Sequence, residues 1–392
     1  MRILHVIPTY LPAVRYGGPI FAVHGLCRAL VSRGHTVRVF TTNANGAKTS
    51  AVPVGVAVTL DDVQVKYFSS DFLKRISWSP SLARAMRHEV GGFDLVHIHS
   101  VFLWPTWAAA RLARQARVPY LISPRGMLVK QLIERRNRFA KTAWINLIEK
   151  SNLERAAAIH VTSELEGAEL RRFKWQLPQV AMIPNGVEEL EIAVGAEPSG
   201  DIKEIASHQP LVLFLGRISW KKGLDRLLNA FALTNLGKLA IVGTDDEGLT
   251  RELQQLANKL QIGHRVRFLP RTVLGCDKEH LFAAARLFVL PSYSENFGNT
   301  VLEAMQRQVP VIVTPEVGAA SVVQEACGGM VVQGDPEPLS EAINRLIQDQ
   351  GLARSMGQAG QQYVLDHYAW SHIAAQMEAL YENLIFLNQV PS

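Results

Sequence analysis

Short apolar runs alternate with stretches of helical periodicity along this chain, and the alternation occurs twice. In the first half the apolar runs are Ile3–Ile7, Thr36–Phe40, Asp94–Ile98, Tyr120–Ile122, Ala158–Val161 and Val180–Ile183. In the second half they are Leu211–Leu215, Leu239–Val242, Val266–Phe268, Leu287–Leu290 and Val309–Val313. Runs of this length that are followed by helices are typical of parallel strands buried on both faces. The sequence therefore predicts an α/β protein with two doubly wound units.

The boundary between the two units is predicted after the turn signal Asn185-Gly186. Residues 1–188 form the first predicted domain, residues 189–209 a linker rich in Glu, Gly, Pro and Ser, and residues 210–370 the second domain. Open α/β sheets bind their ligands beyond the carboxyl ends of the strands. We therefore expect a ligand cleft between two sheets that face each other.

The charge of the chain is unevenly distributed. Residues 1–200 hold 25 Lys and Arg against 15 Asp and Glu, whereas residues 201–392 hold 16 against 20. A basic half indicates nucleic acid, an anionic membrane or phosphorylated substrates as partners, although it also serves solubility alone. Nucleic acid is not expected, because no recognition motif of a known type occurs. The three cysteines share no metal-ligand spacing, and no run approaches the ~20 apolar residues of a membrane span, which predicts a cytoplasmic protein.

The segment Pro291–Glu303 has the most specific chemical pattern. It follows an apolar run and leads into a helical pattern, which places Glu295 on the loop and Glu303 about two turns into the helix. Backbone amides at such a helix start bind anions, and carboxylates bind hydroxyl groups. The segment therefore suits a ligand with a diphosphate and several hydroxyls. The alternative is that both glutamates are ordinary surface acids.

A basic loop follows the first predicted strand of the second half. Arg217 and Lys222 lie within Gly216–Gly223, and an Arg fork with a Lys ammonium on one tight loop suits a diphosphate. A solvated basic loop is equally compatible with this spacing. The order of residues excludes a P-loop.

Two glycines, Gly17 and Gly18, separate the first strand from the first long helix. Paired glycines before a helix allow backbone amides to approach an anion closely, although a Gly-Gly turn without a ligand is as common. The sequence contains no G-x-G-x-x-G, which argues against a nicotinamide or flavin cofactor.

Histidines and an arginine follow two other strands of the first half. His97 and His99 form an H-x-H pattern without a third ligand at typical zinc spacing, so no metal site is predicted. His99 is either a functional residue at a strand end or a core histidine, and Arg125 is expected to direct its charge into the cleft. The segment Lys130–Lys150 interleaves basic with apolar and aromatic residues, which suits an anionic membrane surface or a phosphate-bearing acceptor. An ordinary amphipathic surface helix is the alternative.

Four motifs taken together resemble those of the family 4 retaining glycosyltransferases. They are YGGP at Tyr16–Pro19, GRISWKKG at Gly216–Gly223, PSYSENFGNTVLEAM at Pro291–Met305 and IPNGV at Ile183–Val187. The resemblance covers essentially the whole chain in order, and it implies the GT-B fold, with two Rossmann-like domains facing a central cleft. The loop SPRGML at Ser123–Leu128 is similar to that of a subgroup found in cell-surface polysaccharide assembly.

The resemblance also implies roles for individual residues. Arg217 and Lys222 would bind the diphosphate of the donor, Glu295 the hydroxyls of its sugar and Glu303 those of its ribose. The other implied donor-binding residues are Gly17 and Gly18 from the first domain, and Asn296, Phe297, Gly298, Asn299 and Thr300 through their backbone. The final helix, residues 371–392, would pack back on the first domain.

Three expectations complete the assignment of residues. Many members of the family have a histidine near the reacting carbon, and either Arg125 or His99 would take its role here. The base of the nucleotide is expected near the loop after Phe268, which contains Arg271. As a peripheral protein on the inner face of the membrane, the chain would meet anionic lipid through Lys130–Lys150.

The implied reaction is transfer of a sugar from a UDP- or GDP-sugar to a glycan or lipid-linked acceptor, with retention and without a metal or other cofactor. Two alternatives stay open. One is a sugar-nucleotide epimerase of the same fold, and the other is a noncatalytic subunit that binds a nucleotide sugar.

Overall fold

The computed structural model describes residues 1–14, 17–46, 48–130, 144–190 and 197–389, and they form two compact units. Unit 1 comprises Met1–Gly186 together with the C-terminal helix, and unit 2 comprises Val187–Ala369. Four predicted segments therefore lie wholly or partly outside the described residues: Tyr16, residues 131–143 of the basic segment, residues 191–196 of the linker and residues 390–392 of the final helix.

The strands of both units follow the predicted apolar runs closely. In unit 1 they are β1 (Arg2–Thr9), β2 (Thr36–Thr42), β3 (Ala44–Asn45), β4 (Lys48–Thr49), β5 (Ala57–Leu60), β6 (Val63–Phe68), β7 (Leu95–His99), β8 (Tyr120–Ser123), β9 (Ala158–Val161) and β10 (Gln179–Met182). In unit 2 they are β11 (Leu211–Leu215), β12 (Lys238–Val242), β13 (Val266–Leu269), β14 (Ala285–Leu290), β15 (Val311–Val313) and β16 (Gly329–Val331).

The helices lie between these strands and after them. Those of unit 1 are α1 (Gly18–Ser32), α2 (Pro80–Glu89), α3 (Trp104–Gln115), α4 (Lys150–Glu154), which continues a π-helical turn at Ile145–Glu149, and α5 (Glu164–Arg171). Those of unit 2 are α6 (Gly200–Ala206), α7 (Leu224–Ala232), α8 (Thr250–Lys259), α9 (Gly275–Ala284), α10 (Asn299–Gln306), α11 (Ala320–Glu325), α12 (Pro336–Gln348) and α13 (Gln350–Tyr368). The chain ends with α14 (Trp370–Gln389), which belongs to unit 1.

Each unit is built on one large sheet. The order in unit 1 is β10-β9-β8-β7-β1-β2-β6-β5, with only the edge strand β5 antiparallel to its neighbour, and the order in unit 2 is β13-β12-β11-β14-β15-β16, all parallel. The predicted α/β class is thus confirmed. Both orders reverse direction once, between β1 and β7 in unit 1 and between β11 and β14 in unit 2. Ligands of doubly wound sheets bind beyond the carboxyl ends of the strands at these switch points.

Helices cover both faces of the sheet of unit 1. One core contains Leu82 of α2 and Ala109 of α3, and the other contains Leu26 of α1 and Met377 of α14. Burial on both faces explains why the central strands are almost continuously apolar. The last helix of the chain therefore completes the fold of unit 1 rather than that of unit 2, which precedes it.

The structure differs from the predicted elements in a few places. The predicted linker 189–209 contains α6, whose Ile202 and Ile205 are buried in the core of unit 2, because these two apolar positions share one helix face. The strands β3, β4, β5, β6 and β16 were not predicted. Among the described residues, no helix is long and apolar enough to cross a membrane.

Candidate active site

The loops at the switch point of unit 2 contain the residues that the sequence singled out. Gly216–Gly223 follows β11 and the segment 291–298 follows β14, and these two strands are neighbours in the sheet. Because parallel neighbours end at the same edge, the two loops lie side by side. Tyr293 N–H donates to the carbonyl of Lys221 at 2.7 Å and so joins them directly.

The ammonium of Lys222 forms an ion pair and hydrogen bond with the carboxylate of Glu295. Both side chains are largely buried, with exposed fractions of 13% for Lys222 and 20% for Glu295. The structure thus brings together a cation and an acid that the sequence placed 73 positions apart. A ligand with both phosphate and hydroxyl groups can bind to each partner separately.

Gly223 allows the close approach of the two loops. Its φ is +63°, and a Cβ at this position would lie 2.1 Å from the carbonyl oxygen of Pro291. Only glycine fits both the left-handed backbone and this distance. The residue ends the helical turn Trp220–Lys222 and therefore sets the direction of the Lys222 side chain.

A third loop fixes the backbone of Glu295. Its N–H donates to the carbonyl of Glu316 and its carbonyl accepts from Gly318 N–H, both at 3.0 Å. Thr314 Oγ1 donates to the carbonyl of Ser292 at 2.8 Å within the same pair of loops. Hydrogen bonds on both sides hold the carboxylate in place before any ligand binds.

The helix α10 begins at the end of this loop. Its N-cap is Gly298, which has a φ of +97° and provides no side chain to cap the first amides. The preceding Phe297 is buried and its carbonyl accepts from Ala319 N–H at 2.7 Å. Asn296, Asn299 and Thr300 are partly exposed around this helix start. The structure confirms that a helix starts here, and anion binding at its uncapped amides stays a prediction.

The other predicted donor-binding residues of unit 2 have different surroundings. Arg217 is exposed and forms no hydrogen bond or ion pair with the described residues. Glu303, which is partly exposed on α10, pairs with Lys278 of α9 at 3.4 Å. Both side chains thus remain accessible from solvent.

Arg271 forms a surface network instead of extending freely. Its guanidinium pairs with Asp201 at 2.8 Å and Asp277 at 3.0 Å, and donates to Ser199 Oγ at 2.7 Å. The hydrogen bonds to Asp201 raise the pKa of Arg271, and the bond from Arg271 lowers the pKa of Asp201. A role for Arg271 in binding the base stays a prediction, and the network shows what such a role would disturb.

At the switch point of unit 1, Gly17 lies between β1 and α1, and Gly18 is the first residue of α1. Gly17 is the N-cap of α1 and has a φ of +63°. Pro19 lies in the first helical turn, where its missing N–H is no loss. Of the motif YGGP, the described part therefore forms the helix start that the sequence predicted.

Four buried histidines lie on three strands of unit 1: His5 on β1, His97 and His99 on β7, and His160 on β9. His97 Nδ1 lies 2.6 Å from the hydroxyl of Tyr381 on α14, and its Nε2 lies 2.6 Å from Ser123 Oγ. Ser123 Oγ also lies 2.6 Å from His160 Nδ1, and His160 Nε2 lies 2.8 Å from the carbonyl of Ile183. Since a carbonyl only accepts, the protons run in one direction, from Tyr381 through His97, Ser123 and His160 to Ile183.

A second chain of hydrogen bonds begins at Arg125. Its Nη1 donates to Asn185 Oδ1 at 2.8 Å, and its Nη2 lies 3.3 Å from His99 Nδ1. His99 Nε2 lies 3.0 Å from His5 Nδ1. Since a guanidinium only donates, His99 accepts at Nδ1 and donates from Nε2 to His5. His99 and Arg125, which were alternatives for one role, are thus in contact.

These directions require neutral imidazoles. Burial first, and then the charge of Arg125, lowers the pKa of His5 to about 3 and that of His160 to about 3. Burial likewise lowers the pKa values of His97 and His99. Arg125 is buried, and among the described residues no carboxylate forms an ion pair with it. The histidines therefore surround a buried positive charge without balancing it.

The sequence missed a third imidazole beside His97 and His99. The ligand nitrogens of His5, His97 and His99 lie within 4.8 Å of one another, a spacing that suits a metal ion. The donor set does not fit one, however, because five of the six ring nitrogens have hydrogen-bond partners among the described residues and only His5 Nε2 has none. Arg125 beside His99 also repels a cation. The absence of a metal site stays a prediction. Its reason is now the chemistry of these side chains and no longer the lack of a third ligand in the sequence.

Asn185 is the other residue whose role was missed. It belongs to the motif IPNGV, but its contact with Arg125 could not be read from the turn signal Asn185-Gly186. It lies near the end of β10, two strands from β8 in the sheet order. Long-range pairing, rather than local pattern, brings these two side chains together.

The two units correspond to two known protein families. Residues 17–186 match the family described as "Glycosyl transferase 4-like domain", and residues 198–363 match "Glycosyl transferases group 1". Together the matches span most of the chain, which belongs to the glycosyltransferases with the GT-B fold. Within that class it is a family 4-type glycosyltransferase.

Relatives along the whole length agree with this assignment. An uncharacterized glycosyltransferase of Methanocaldococcus jannaschii is 26% identical over 97% of this chain and 98% of its own. A D-inositol 3-phosphate glycosyltransferase of Xylanimonas cellulosilytica is 26% identical over 93% of this chain and 91% of its own.

Solved structures show the same fold. Sucrose-phosphate synthase from Thermosynechococcus elongatus matches with a TM-score of 0.76 and 24% identity, over 99% of this chain and 100% of that one. Anabaena HepE in complex with UDP-glucose matches with a TM-score of 0.73 and 20% identity, over 98% of this chain and 100% of that one.

Proposed function

We propose that this glycosyltransferase moves a sugar, with retention, from a UDP- or GDP-sugar to a glycan or lipid-linked acceptor. The observation that carries the donor assignment is the Lys222–Glu295 pair at the switch point of unit 2. The HepE complex contains UDP-glucose, which supports a nucleoside-diphosphate sugar as the ligand of the same fold.

Donor binding divides the ion pair between two parts of the ligand. The diphosphate takes Lys222 together with the exposed Arg217, and the sugar hydroxyls take Glu295. The amides at the start of α10 add dipoles directed at the phosphates. Glu303, partly exposed on the same helix, accepts hydrogen bonds from the hydroxyls of the ribose.

Catalysis in this proposal is mainly electrostatic. The bond between the anomeric carbon and the phosphate oxygen breaks, and Arg217 and Lys222 stabilise the charge that develops on the departing diphosphate. The acceptor oxygen bonds to the anomeric carbon from the same face, and its proton passes to the leaving phosphate. In this scheme Glu295 binds the hydroxyls of the sugar and does not attack the anomeric carbon, so no covalent intermediate is proposed.

Two cations on the protein make a metal ion unnecessary in this scheme. In unit 1, Arg125 is held by Asn185 and His99. It takes the role that many relatives give to a histidine, and His99 positions it.

The pathway is proposed on narrower grounds. The SPRGML loop at Ser123–Leu128 supports a place in cell-surface polysaccharide assembly, on the cytoplasmic side of the membrane. Association with the membrane through Lys130–Lys150 belongs to the same proposal, and much of that segment lies outside the described residues.

Thermal unfolding in the presence of EDTA tests the donor site. UDP, GDP, ADP, dTDP and CDP are added in turn to the wild type, to Lys222→Ala and to the control Lys203→Ala, which removes a lysine from a surface ion pair of the same unit. A ligand at 100 times its dissociation constant adds about 2.7 kcal/mol of stability. We expect one diphosphate to stabilise the wild type and the control but not Lys222→Ala. If none stabilises the wild type, the donor site is wrong.

The reaction itself is tested with the matching sugar nucleotide and a membrane extract as the source of acceptor. Transfer that releases the diphosphate and keeps the anomeric configuration, followed by proton NMR, supports the proposal. An epimerised sugar nucleotide without acceptor points to an epimerase. Binding without any turnover points to a noncatalytic subunit.

A further inference from the structure

Four aromatic side chains form a continuous row in unit 1. The ring centroids of Phe72 and Trp78 are 6.0 Å apart, those of Trp78 and Trp104 6.3 Å, and those of Trp104 and Trp107 6.4 Å. Phe72 is 65% exposed, and the three tryptophans are partly exposed. A row of large apolar side chains that is in part accessible from solvent is a candidate interaction surface.

The end of the row that contains Phe72 projects on a short turn. Leu73, which is 52% exposed, and Ser77 adopt left-handed φ values of 50° and 54° on either side of the turn Lys74–Ile76. Residues other than glycine rarely adopt this conformation, and where they do, the strain is often connected with function. The turn holds Phe72 and Leu73 towards solvent next to Lys74 and Arg75.

The other end of the row meets a basic cavity. The guanidinium of Arg111 lies 5.8 Å from the centre of the Trp107 ring. Both residues line a cavity of about 250 Å³ together with Arg114, Gln115, Ser151 and the 78% exposed Leu147. Two arginines beside hydroxyl and amide groups suit a phosphate group.

The positive charge along this surface indicates an anionic partner. Lys74, Arg75, Arg111 and Arg114 accompany the row, and the acid beside it, Asp71, accepts a hydrogen bond from Ser69. Aromatic rings, exposed leucines and cations together fit the interface of an anionic bilayer, where tryptophan lies among headgroups and cations meet lipid phosphates.

We propose that this face, which we call the aromatic row (Phe72, Trp78, Trp104 and Trp107), docks unit 1 on an anionic phospholipid bilayer, with the Arg111–Arg114 cavity taking a lipid phosphate. This surface differs from the predicted segment Lys130–Lys150 and overlaps it only in residues 147–148 of the cavity wall. The docking does not depend on the transfer reaction. A negative result for vesicle binding would therefore leave the proposed transferase activity untouched, and the reverse also holds.

Cosedimentation of the full chain with vesicles tests the proposal. Vesicles of phosphatidylcholine alone are compared with vesicles that also contain phosphatidylglycerol, at low salt and without nucleotide. We expect the wild type to bind only the anionic vesicles and to be released by salt. Trp fluorescence is expected to shift to the blue on binding, because the rings leave water.

Three double variants probe the parts of the surface. Lys74→Gln/Arg75→Gln and Arg111→Gln/Arg114→Gln each remove two cations, and each is expected to weaken binding roughly 30-fold. Phe72→Ser/Leu73→Ser is expected to weaken it at least about tenfold. All three pairs are exposed or partly exposed, so the melting temperature should not change and loss of fold is readily detected.

Two controls have the same chemistry elsewhere. Phe386→Ser/Leu387→Ser removes two exposed apolar residues of α14, which are 64% and 57% exposed, and Arg251→Gln/Lys259→Gln removes two exposed cations of α8. Both should bind like the wild type. The proposal is wrong if the wild type ignores anionic vesicles or if the three probes bind as the controls do. A tryptophan response to a neutral oligosaccharide but not to vesicles would instead make the row a glycan-binding surface.

Discussion

The guanidinium of Arg125 donates to the side-chain carbonyl of Asn185 at 2.8 Å, inside unit 1 and without a carboxylate partner among the described residues. Arg125 has a φ of +55°, a conformation that few residues other than glycine adopt. This buried cation on a strained turn is held by a neutral amide and a neutral imidazole, and in the proposed reaction its charge acts on the donor. Asn185 is therefore a positioning residue of Arg125.

Two substitutions of Asn185 separate its charge effect from its hydrogen bond. Asn185→Ala removes an acceptor of a charged donor, worth about 1.5–3 kcal/mol, so both stability and kcat/KM should fall. Asn185→Asp keeps the acceptor but neutralises the guanidinium, so stability should recover while kcat stays low. Thermal unfolding and steady-state kinetics measure the two effects. Recovery of kcat in Asn185→Asp would show that the charge of Arg125 is not used.

Substitutions of Lys222 and Glu295 are expected to impair different steps, diphosphate binding and turnover of the sugar donor. Lys222→Ala should lower nucleoside-diphosphate affinity and lower kcat/KM by about 100-fold, the effect of removing one preorganised charge from a transition state. Glu295→Gln should leave the affinity for the diphosphate alone nearly intact and lower turnover of the sugar donor. Calorimetric titration with the diphosphate and kinetics with the donor distinguish these outcomes. Equal losses of diphosphate affinity in both variants would contradict the division of roles.

Gly223 offers a test of loop geometry with a matched control. Gly223→Ala places a Cβ 2.1 Å from the carbonyl of Pro291, whereas Gly248→Ala has a similar φ of +74° and no atom within 4 Å. Both variants carry the conformational penalty of about 1 kcal/mol for a left-handed residue. Only Gly223→Ala should lose further stability and nucleotide affinity, because its loops must separate. Equal melting temperatures for the two variants would refute this account.

The neutral histidines predict an acid-labile unit 1. The folded pKa values of His5 and His160, about 3, lie below the unfolded value of about 6.5, so only the unfolded chain takes up protons between these limits. Their contribution to stability is present above pH ~6.5 and is lost as the pH falls towards ~3, by about 1.4 kcal/mol per pH unit for each histidine.

Urea unfolding between pH 6.5 and 5.0 measures this slope before most carboxylates titrate. His160→Gln should be less stable than the wild type at pH 7 and should reduce the slope by the contribution of one proton. A slope that does not change in His160→Gln, or in His5→Gln, would mean that these rings are not neutral in the fold.

Local pattern was sufficient for most elements of the chain. Most of the buried strands were predicted within a few residues, because strands covered on both faces have apolar runs that no surface element shares. The strand β6 was missed because Gln64 and Lys66 interrupt its apolar residues. The edge strand β5 was missed because its residues are exposed or only partly buried, and β16 because three residues give no periodicity. Lys222 and Glu295 could also be recognised from local sequence, since each lies on the loop that follows a predicted strand.

Tertiary structure decided which of these strand ends meet. Nothing in the local sequence states that β1 lies beside β7 or β11 beside β14, because sheet order depends on contacts across tens to hundreds of residues. That order brings His5 to His99, Asn185 to Arg125 and Tyr381 of the last helix to His97. The sequence alone thus determined the fold class and the residues that end its strands. Only the tertiary structure decided their partners and protonation, because burial and neighbouring charges arise when distant segments pack together.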